Sequence, residues 1–371
     1  MYLARRDLVA AKGRFLLMGT VVALIAMLGV LLAGLATGLV SAGTSGLESL
    51  DFTDLAFQPG AESTFARSFL EPATVQQLGA VPGVRAAPLG VSLFNARRNA
   101  GTPQEEVVDV ALFGTAPTSF LAPRVTSGEP LVDGGPGRIV ISKDLANDGV
   151  KVGDTLTLGL DERRLEVTGI TEGGTYGHVP VAFTDLTSWQ DVTPGARAAD
   201  GTGLVSSVAL QVGGGTDAAA IERTVPGVEV VTKQQSFNGS PGYVAEMSTM
   251  MLIRGFLLVI SALVVAAFFT VWTVQRRGQI GLLKAMGAGN GYVLRDALGQ
   301  MLVVLVVATV IGTLLGMGLG SLMPAKAPFS LQATPVVVAG LALVVAGVLG
   351  SLAAVRRITS VDPLIALGAQ R

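Results

Sequence analysis

Six residues able to do chemistry crowd one short stretch of the chain: Tyr243, Glu246, Met247, Met250, Met251 and Arg254. On a continuous helix Glu246, Met250 and Arg254 fall at i, i+4 and i+8, on a single face. A carboxylate or a thioether can ligate iron, and an arginine can pair with a propionate, so such a stripe could hold haem, with Met27 contributing from a facing helix. The same residue types also make an interfacial anchor, in which Tyr and Arg reach toward lipid headgroups while Met fills gaps. The residue types alone favour that plainer role, and the two readings stay open side by side.

Elsewhere the chain offers little for catalysis. His178 is the single histidine and cysteine is absent, which excludes H-E-x-x-H and other multi-histidine metal sites, thiolate sites, Cys nucleophiles and disulfides. No G-x-S-x-G turn occurs, and the carboxylates scatter along glycine turns, where they solvate the surface. The chain also lacks a G-x-x-x-x-G-K-[ST] phosphate loop and so cannot hydrolyse ATP itself. A non-catalytic protein with no intrinsic cofactor and no metal site is expected.

What must position the stripe is a membrane. Of 371 residues, 50% are hydrophobic and only 14% charged, against about 25% charged in soluble domains. A bilayer-crossing helix needs about 20 mostly apolar residues. Four stretches qualify: 15–40, 246–274 (with a juxtamembrane stalk at its start and Arg254 as its one basic interruption), 297–323 and 335–355. The first exceeds the roughly 7–15 apolar residues of a secretory signal and reads as an uncleaved anchor.

Charge sets the orientation. Residues 1–14, the loop 275–296 and the tail 356–371 together carry a net +8, whereas residues 41–250 carry −11. Lys and Arg near span ends stay on the cytoplasmic side, so both termini and the 275–296 loop are expected inside, and the acidic 41–245 segment and the short 324–334 loop outside. The basic patches then need no nucleic-acid partner; membrane lipid suffices.

Residues 41–245 are enough for a folded domain. Short β-like runs alternate with glycine turns: Arg138–Ser142, Thr155–Leu158, Arg164–Ile170 and Val179–Phe183 read as strands, and Lys143–Asp148 as a helical turn or two. Residues 75–88 and 218–232 echo each other, each a short amphipathic helix ending at Val-Pro-Gly-Val before a strand, 144 residues apart. That spacing predicts two α/β halves rather than a short-period solenoid. The expected fold is an α-helical membrane protein of four transmembrane helices, with an α+β extracytoplasmic domain inserted between helices 1 and 2.

The loop after the second span reads Arg276-Arg277-Gly278-Gln279-Ile280-Gly281-Leu282-Leu283-Lys284-Ala285-Met286-Gly287-Ala288. Ile280, Leu283 and Met286 form a short apolar face that must dock on a partner or on lipid. This segment resembles the coupling-helix signature of the MacB/FtsX-like permeases (type VII ABC transporters), R-x-x-E-I-G-x-L-[KR]-A-[ILM]-G-A. Gln279 stands where the pattern has Glu, so no role of that carboxylate carries over. The tail, with Arg356-Arg357 and Asp362-Pro363-Leu364-Ile365-Ala366-Leu367, is similar to the family's R-R-x-x-x-x-[DN]-P-x-x-A-L closing motif. Ala4–Leu8 fits its amphipathic lead-in helix, and Arg138–Ile170 with Lys151–Asp154 fits the core of its outer domain. Within the family, Lys12–Phe15 followed by Met18-Gly19 is similar to the HrtB-type haem-exporting permeases of Gram-positive bacteria.

The resemblance implies a homodimer in the plasma membrane of a bacterium, each subunit contacting a separate cytoplasmic ABC ATPase that binds ATP-Mg. Gly278, Gln279, Ile280, Gly281, Leu283, Lys284, Met286 and Gly287 would be the ATPase-coupling residues. The complex would export a hydrophobic substrate, haem foremost, from the outer leaflet by mechanotransmission. Two rivals stand: an FtsX-like signalling permease that transports nothing and regulates an extracellular partner such as a cell-wall hydrolase, and a lipid-handling permease. Small-residue pairs at Gly34/Gly38, Gly312/Gly316/Gly320 and Gly347/Ser351 fit either dimer contacts or packing within one subunit.

Overall fold

The computed structural model describes residues 12–132, 135, 137–275, 286, 289–324 and 327–359. Two compact units emerge: an inserted domain, Leu39–Glu246, and a helical unit made of the flanking segments up to Gly38 and from Met247 onward. Helix α1 (Lys12–Glu48) opens the described chain.

In the domain follow β1 (Asp54–Phe57), α2 (Pro72–Gly79), β2 (Val84–Arg98), β3 (Glu106–Thr115), β4 (Val125–Gly128), β5 (Arg138–Ser142), α3 (Lys143–Asn147), β6 (Thr155–Leu158) and β7 (Arg163–Thr171). Next come β8 (Thr175–Tyr176), β9 (Val179–Asp185), α4 (Leu186–Val192), β10 (Ser207–Val212), α5 (Ala218–Thr224), β11 (Glu229–Thr232) and α6 (Lys233–Ser236). Helices α7 (Tyr243–Gln275), α8 (Asn290–Ser321) and α9 (Ala333–Thr359) complete the described chain.

The strands join in the order β11-β1-β10-β2-β3-β9-β5-β7-β4, and β6 bridges β2 to β7. That bridge closes a ring of six strands (β2, β3, β9, β5, β7, β6), while β11, β1 and β10 extend from β2 as an open wing. Inside the ring pack Ala96, Val110, Leu112, Ile139, Ile141, Leu156, Leu165, Val167 and Trp189. The indole of Trp189 lies on Gly90 and Gly114, which are cross-strand partners; a Cβ on either would come within 2.4 Å of its atoms. Pro88 sits inside β2, a position that ordinarily forbids proline, but β3 reaches only as far as Leu89, so no ladder bond is lost.

The two echoed helix–strand segments do not form separate halves. Leu78, Val81 and Val84 from the first, and Ile221, Val225, Val228 and Val230 from the second, share one buried cluster with Val208 and Leu210 of β10. Their strands, β2 and β11, belong to the same sheet, so both copies cover one wing. Side chains of Ser142, Asp185, Asp217 and Thr232 each accept a backbone N–H at the start of α3, α4, α5 and α6.

Helix α1 outlasts its apolar run at Val40 because its last turns enter the domain core. Leu47 is fully buried with Phe52, Phe113 and Val181, and Gly46 leaves room for the Val181 side chain. Ala42 and Gly43 carbonyls accept the N–H groups of His178 and Gly177, and Lys233 Nζ caps the helix end on the carbonyls of Glu48 (2.9 Å) and Leu50 (2.6 Å). Burial pulls the Lys233 ammonium below its ordinary value, against the opposing pull of Glu48 and Asp51.

Among the described residues four helices are long and apolar enough to cross a membrane, over Phe15–Glu48, Tyr243–Trp272, Leu298–Ser321 and Ala333–Leu352. Their core combines Met18, Val22 and Ala26 of α1, Val265, Phe269 and Trp272 of α7, Met301, Leu305 and Ala308 of α8, and Leu343 of α9. The small residues serve packing within the chain. A Cβ on Gly312 would lie 2.1 Å from the Ala23 carbonyl oxygen, and one on Gly316 would lie 2.9 Å from Val30 Cβ. Gly347 faces Leu305, and Gly34, Gly38 and Gly320 receive Pro328 and Phe329. Ser330 N–H donates to the Gly34 carbonyl at 3.0 Å, fastening that loop to α1.

Candidate substrate stripe and coupling loop

Helix α7 runs unbroken through Tyr243, Glu246, Met247, Met250, Met251 and Arg254, so Glu246, Met250 and Arg254 keep their common face. Met247, Met250 and Arg254 are half-buried, while Met251 is 72% exposed. Tyr243 packs its ring edge-on against Phe237, centroids 6.4 Å apart. Met27 is half-buried on α1, and its carbonyl lies 3.0 Å from where a Gly316 Cβ would stand, so this turn of α1 approaches α8.

Glu246 already has a partner. Its Oε1 lies 2.9 Å from His178 Nε2, with both side chains about a third exposed. The two-residue turn between β8 and β9 places Gly177 and His178 at φ +58° and +66°, the left-handed pair that a tight hairpin turn of this kind requires. The main-chain bond from His178 to Ala42 fastens this turn to α1. Ligation of iron by Glu246 would therefore begin by opening this bond. Among the described residues no cluster of three His, Cys, Asp or Glu side chains could bind a metal ion.

Of the coupling segment only Met286 is described, as an exposed turn residue; Gly278, Gln279, Ile280, Gly281, Leu283, Lys284 and Gly287 lie outside the described residues, as do the 1–11 lead-in and the 360–371 tail. Helix α8 begins just beyond, at Asn290.

Residues 251–363, from the stripe to the Asp362-Pro363 tail, match the family model "FtsX-like permease C-terminal". Over 368 residues the chain is 23% identical to a candidate hemin transport system permease protein, HrtB, of Staphylococcus haemolyticus, with 99% of each chain covered. The chain is similar to the FtsX-like ABC transporter permeases. An uncharacterised ABC transporter permease of Mycobacterium tuberculosis is 25% identical to this chain over 379 residues, again with 99% of each covered. The extracellular domain of the noncanonic ABC-type transporter YknZ of Gram-positive bacteria superposes on 49% of the permease, and on all of that chain, at 16% identity and a TM-score of 0.35.

Two features of the permease escaped the sequence. The partnership of His178 with Glu246 spans 68 residues and depends on a hairpin turn placed by long-range pairing, so no local pattern announces it. A cavity of about 370 Å3 in the inserted domain, lined by Phe65, Phe69, Val91, Phe94, Trp189 and Pro194 among others, draws on six separate chain segments.

Proposed function

We propose that the permease is the membrane subunit of an ABC efflux complex, a homodimer that expels haem from the outer leaflet when a separate cytoplasmic ATPase closes. In this arrangement both termini and the 275–296 loop are cytoplasmic and the Leu39–Glu246 domain is outside. The observation that carries the proposal is the end-to-end match to a staphylococcal protein named for hemin transport. The stripe supplies suitable chemistry: Met250 and Met251 offer thioethers, Arg254 a propionate partner, and Glu246 a carboxylate once His178 lets go. Span two is also the least covered of the four helices, with 17% of its most apolar window buried against 33% for span three. Its free apolar face, including Phe256, Val259 and Leu263, is available to a second subunit or to a hydrophobic substrate.

The test is haemin efflux from proteoliposomes holding the permease and its ATPase. Wild type should show ATP-dependent export and stimulated hydrolysis. Gly281→Trp, which wedges an indole into the coupling segment, should abolish both while the protein remains inserted. Undiminished stimulation in that variant would refute the coupling assignment.

The domain cavity favours a second reading, the FtsX-like relay that moves no substrate and acts on an outside partner, because an aromatic-lined recess suits a protein ligand as well as a transport intermediate. ATP hydrolysis that haemin never alters, with no efflux, would favour it.

A further inference from the structure

Strand β2 passes from the open wing into the closed ring, and along the way it loses its neighbour. Strand β10 pairs with it only from Val84 to Leu89, and β6 only at Arg97 and Arg98, so residues 90–96 have no strand on the side away from β3. The orientation of the backbone there follows from one bond: Val91 N–H donates to Ser206 Oγ at 2.9 Å, which turns the odd-numbered residues away from β3. Among the described residues no strand takes up the N–H and C=O of Leu93, or those of Asn95, on that side. The outward groups left without a strand partner run from the Val91 carbonyl to Asn95, about 13 Å of strand.

The gap borders the 370 Å3 cavity, whose wall includes Val91, Ser92, Leu93 and Phe94 on β2, together with Phe65, Phe69, Pro194 and Thr193, whose hydroxyl lies 3.2 Å from that of Ser92. Alternating donors and acceptors at strand spacing, beside apolar side-chain room, are the recognition features of a peptide in extended form. Neither lipid nor a flat aromatic molecule presents that alternation. The domain itself cannot fill the slot, because only residues 133, 134 and 136 of Leu39–Glu246 lie outside the described structure.

We propose that this slot is a peptide-binding site, in which an extended apolar segment of a separate protein pairs with Val91–Asn95 of β2 and sets its side chains among Phe65, Phe69 and Phe94. The site stands on the inserted domain alone and does not depend on haem transport.

The probe is acetyl-(Thr-Val)3-amide, added to full-length permease in nanodiscs, with hydrogen–deuterium exchange read over residues 90–97. Saturable protection of that segment is expected. The fully N-methylated peptide, which keeps the side chains but has no backbone donors, should bind at least about tenfold more weakly. Leu93→Pro removes the outward N–H without touching the β3 ladder and should weaken binding similarly. Thr193→Phe, which fills the cavity from the loop after α4, gives an independent check if proline disturbs the strand. Equal protection by both peptides, protection by neither up to millimolar concentration, or unchanged binding in both variants would overturn the proposal. Protection that appears without peptide and grows with protein concentration would seat a second copy in the slot, and would overturn it too.

Discussion

Alanine at Gly312 should loosen the helical unit, whereas alanine at Gly318, six residues further along α8, should not. The Gly312 methyl carbon would stand 2.1 Å from the Ala23 carbonyl oxygen and 2.7 Å from Ala26 Cβ. A carbon–oxygen contact needs about 3.3 Å, so α1 and α8 must part by roughly 1 Å, because a helix carbonyl cannot swing aside. A gap of that size forfeits a quarter to a half of the dispersion energy of the atoms lining it. Those atoms belong to Ala23, Ala26 and Val30, all less than 9% exposed. Overpacking of this kind costs about 2 kcal/mol. At Gly318 nothing lies within 4 Å of the added carbon, and gained helix propensity is worth up to about 1 kcal/mol. The two variants should thus differ by roughly 2–3 kcal/mol, about 30- to 140-fold in the folding equilibrium. The assay is SDS titration in mixed micelles in a Trp189→Phe background, which leaves Trp272, buried against Phe269 and Phe15, as the reporter of the bundle. Equal midpoints for the two variants would refute the close α1–α8 crossing.

Two further outcomes concern the inserted domain. Burial alone would raise the Asp154 carboxyl, but bonds from Asn99 Nδ2 (2.9 Å) and Lys151 N–H (2.9 Å), aided by the Arg98 and Lys151 charges, hold it below its ordinary value. A lowered carboxylate stabilises the fold above its unfolded pKa and loses that effect as pH falls through the folded value. Asp154→Ala should therefore cost about 1–2 kcal/mol at pH 7, and the deficit should shrink below about pH 4 in thermal melts. Trp189→Ala should cost about 3–5 kcal/mol in domain unfolding, because Gly90 and Gly114, directly against the indole, carry no side chain to refill its place.

The sequence disclosed what is local. The spans were legible because about 20 apolar residues in a row have few other uses, and Arg138–Ser142, Thr155–Leu158 and Val179–Phe183 announced themselves as strands by β-branched runs between glycine turns. What it concealed is what depends on distant partners. Helix α1 continues to Glu48 because Leu47 finds Phe113 and Val181 in the domain, which hydropathy along α1 alone does not report. The echoed segments were visible, but whether they pair or part is decided by β1 and β10 lying between their strands. Strand β2, with Pro88 and Gly90 inside it, defies local strand rules and is tolerated because β3 stops one residue short of Pro88 and the Trp189 indole occupies the space Gly90 leaves. Of the stripe, the helical spacing was legible and the grip of His178 on Glu246 was not.

The haem assignment meets its most direct test in the visible spectrum of the detergent-purified permease titrated with haemin. A saturable Soret shift is the expected result in the wild type, lost in the Glu246→Ala/Met250→Ala double variant whose thermal transition is otherwise retained. A Soret band that shifts identically in that double variant would contradict it.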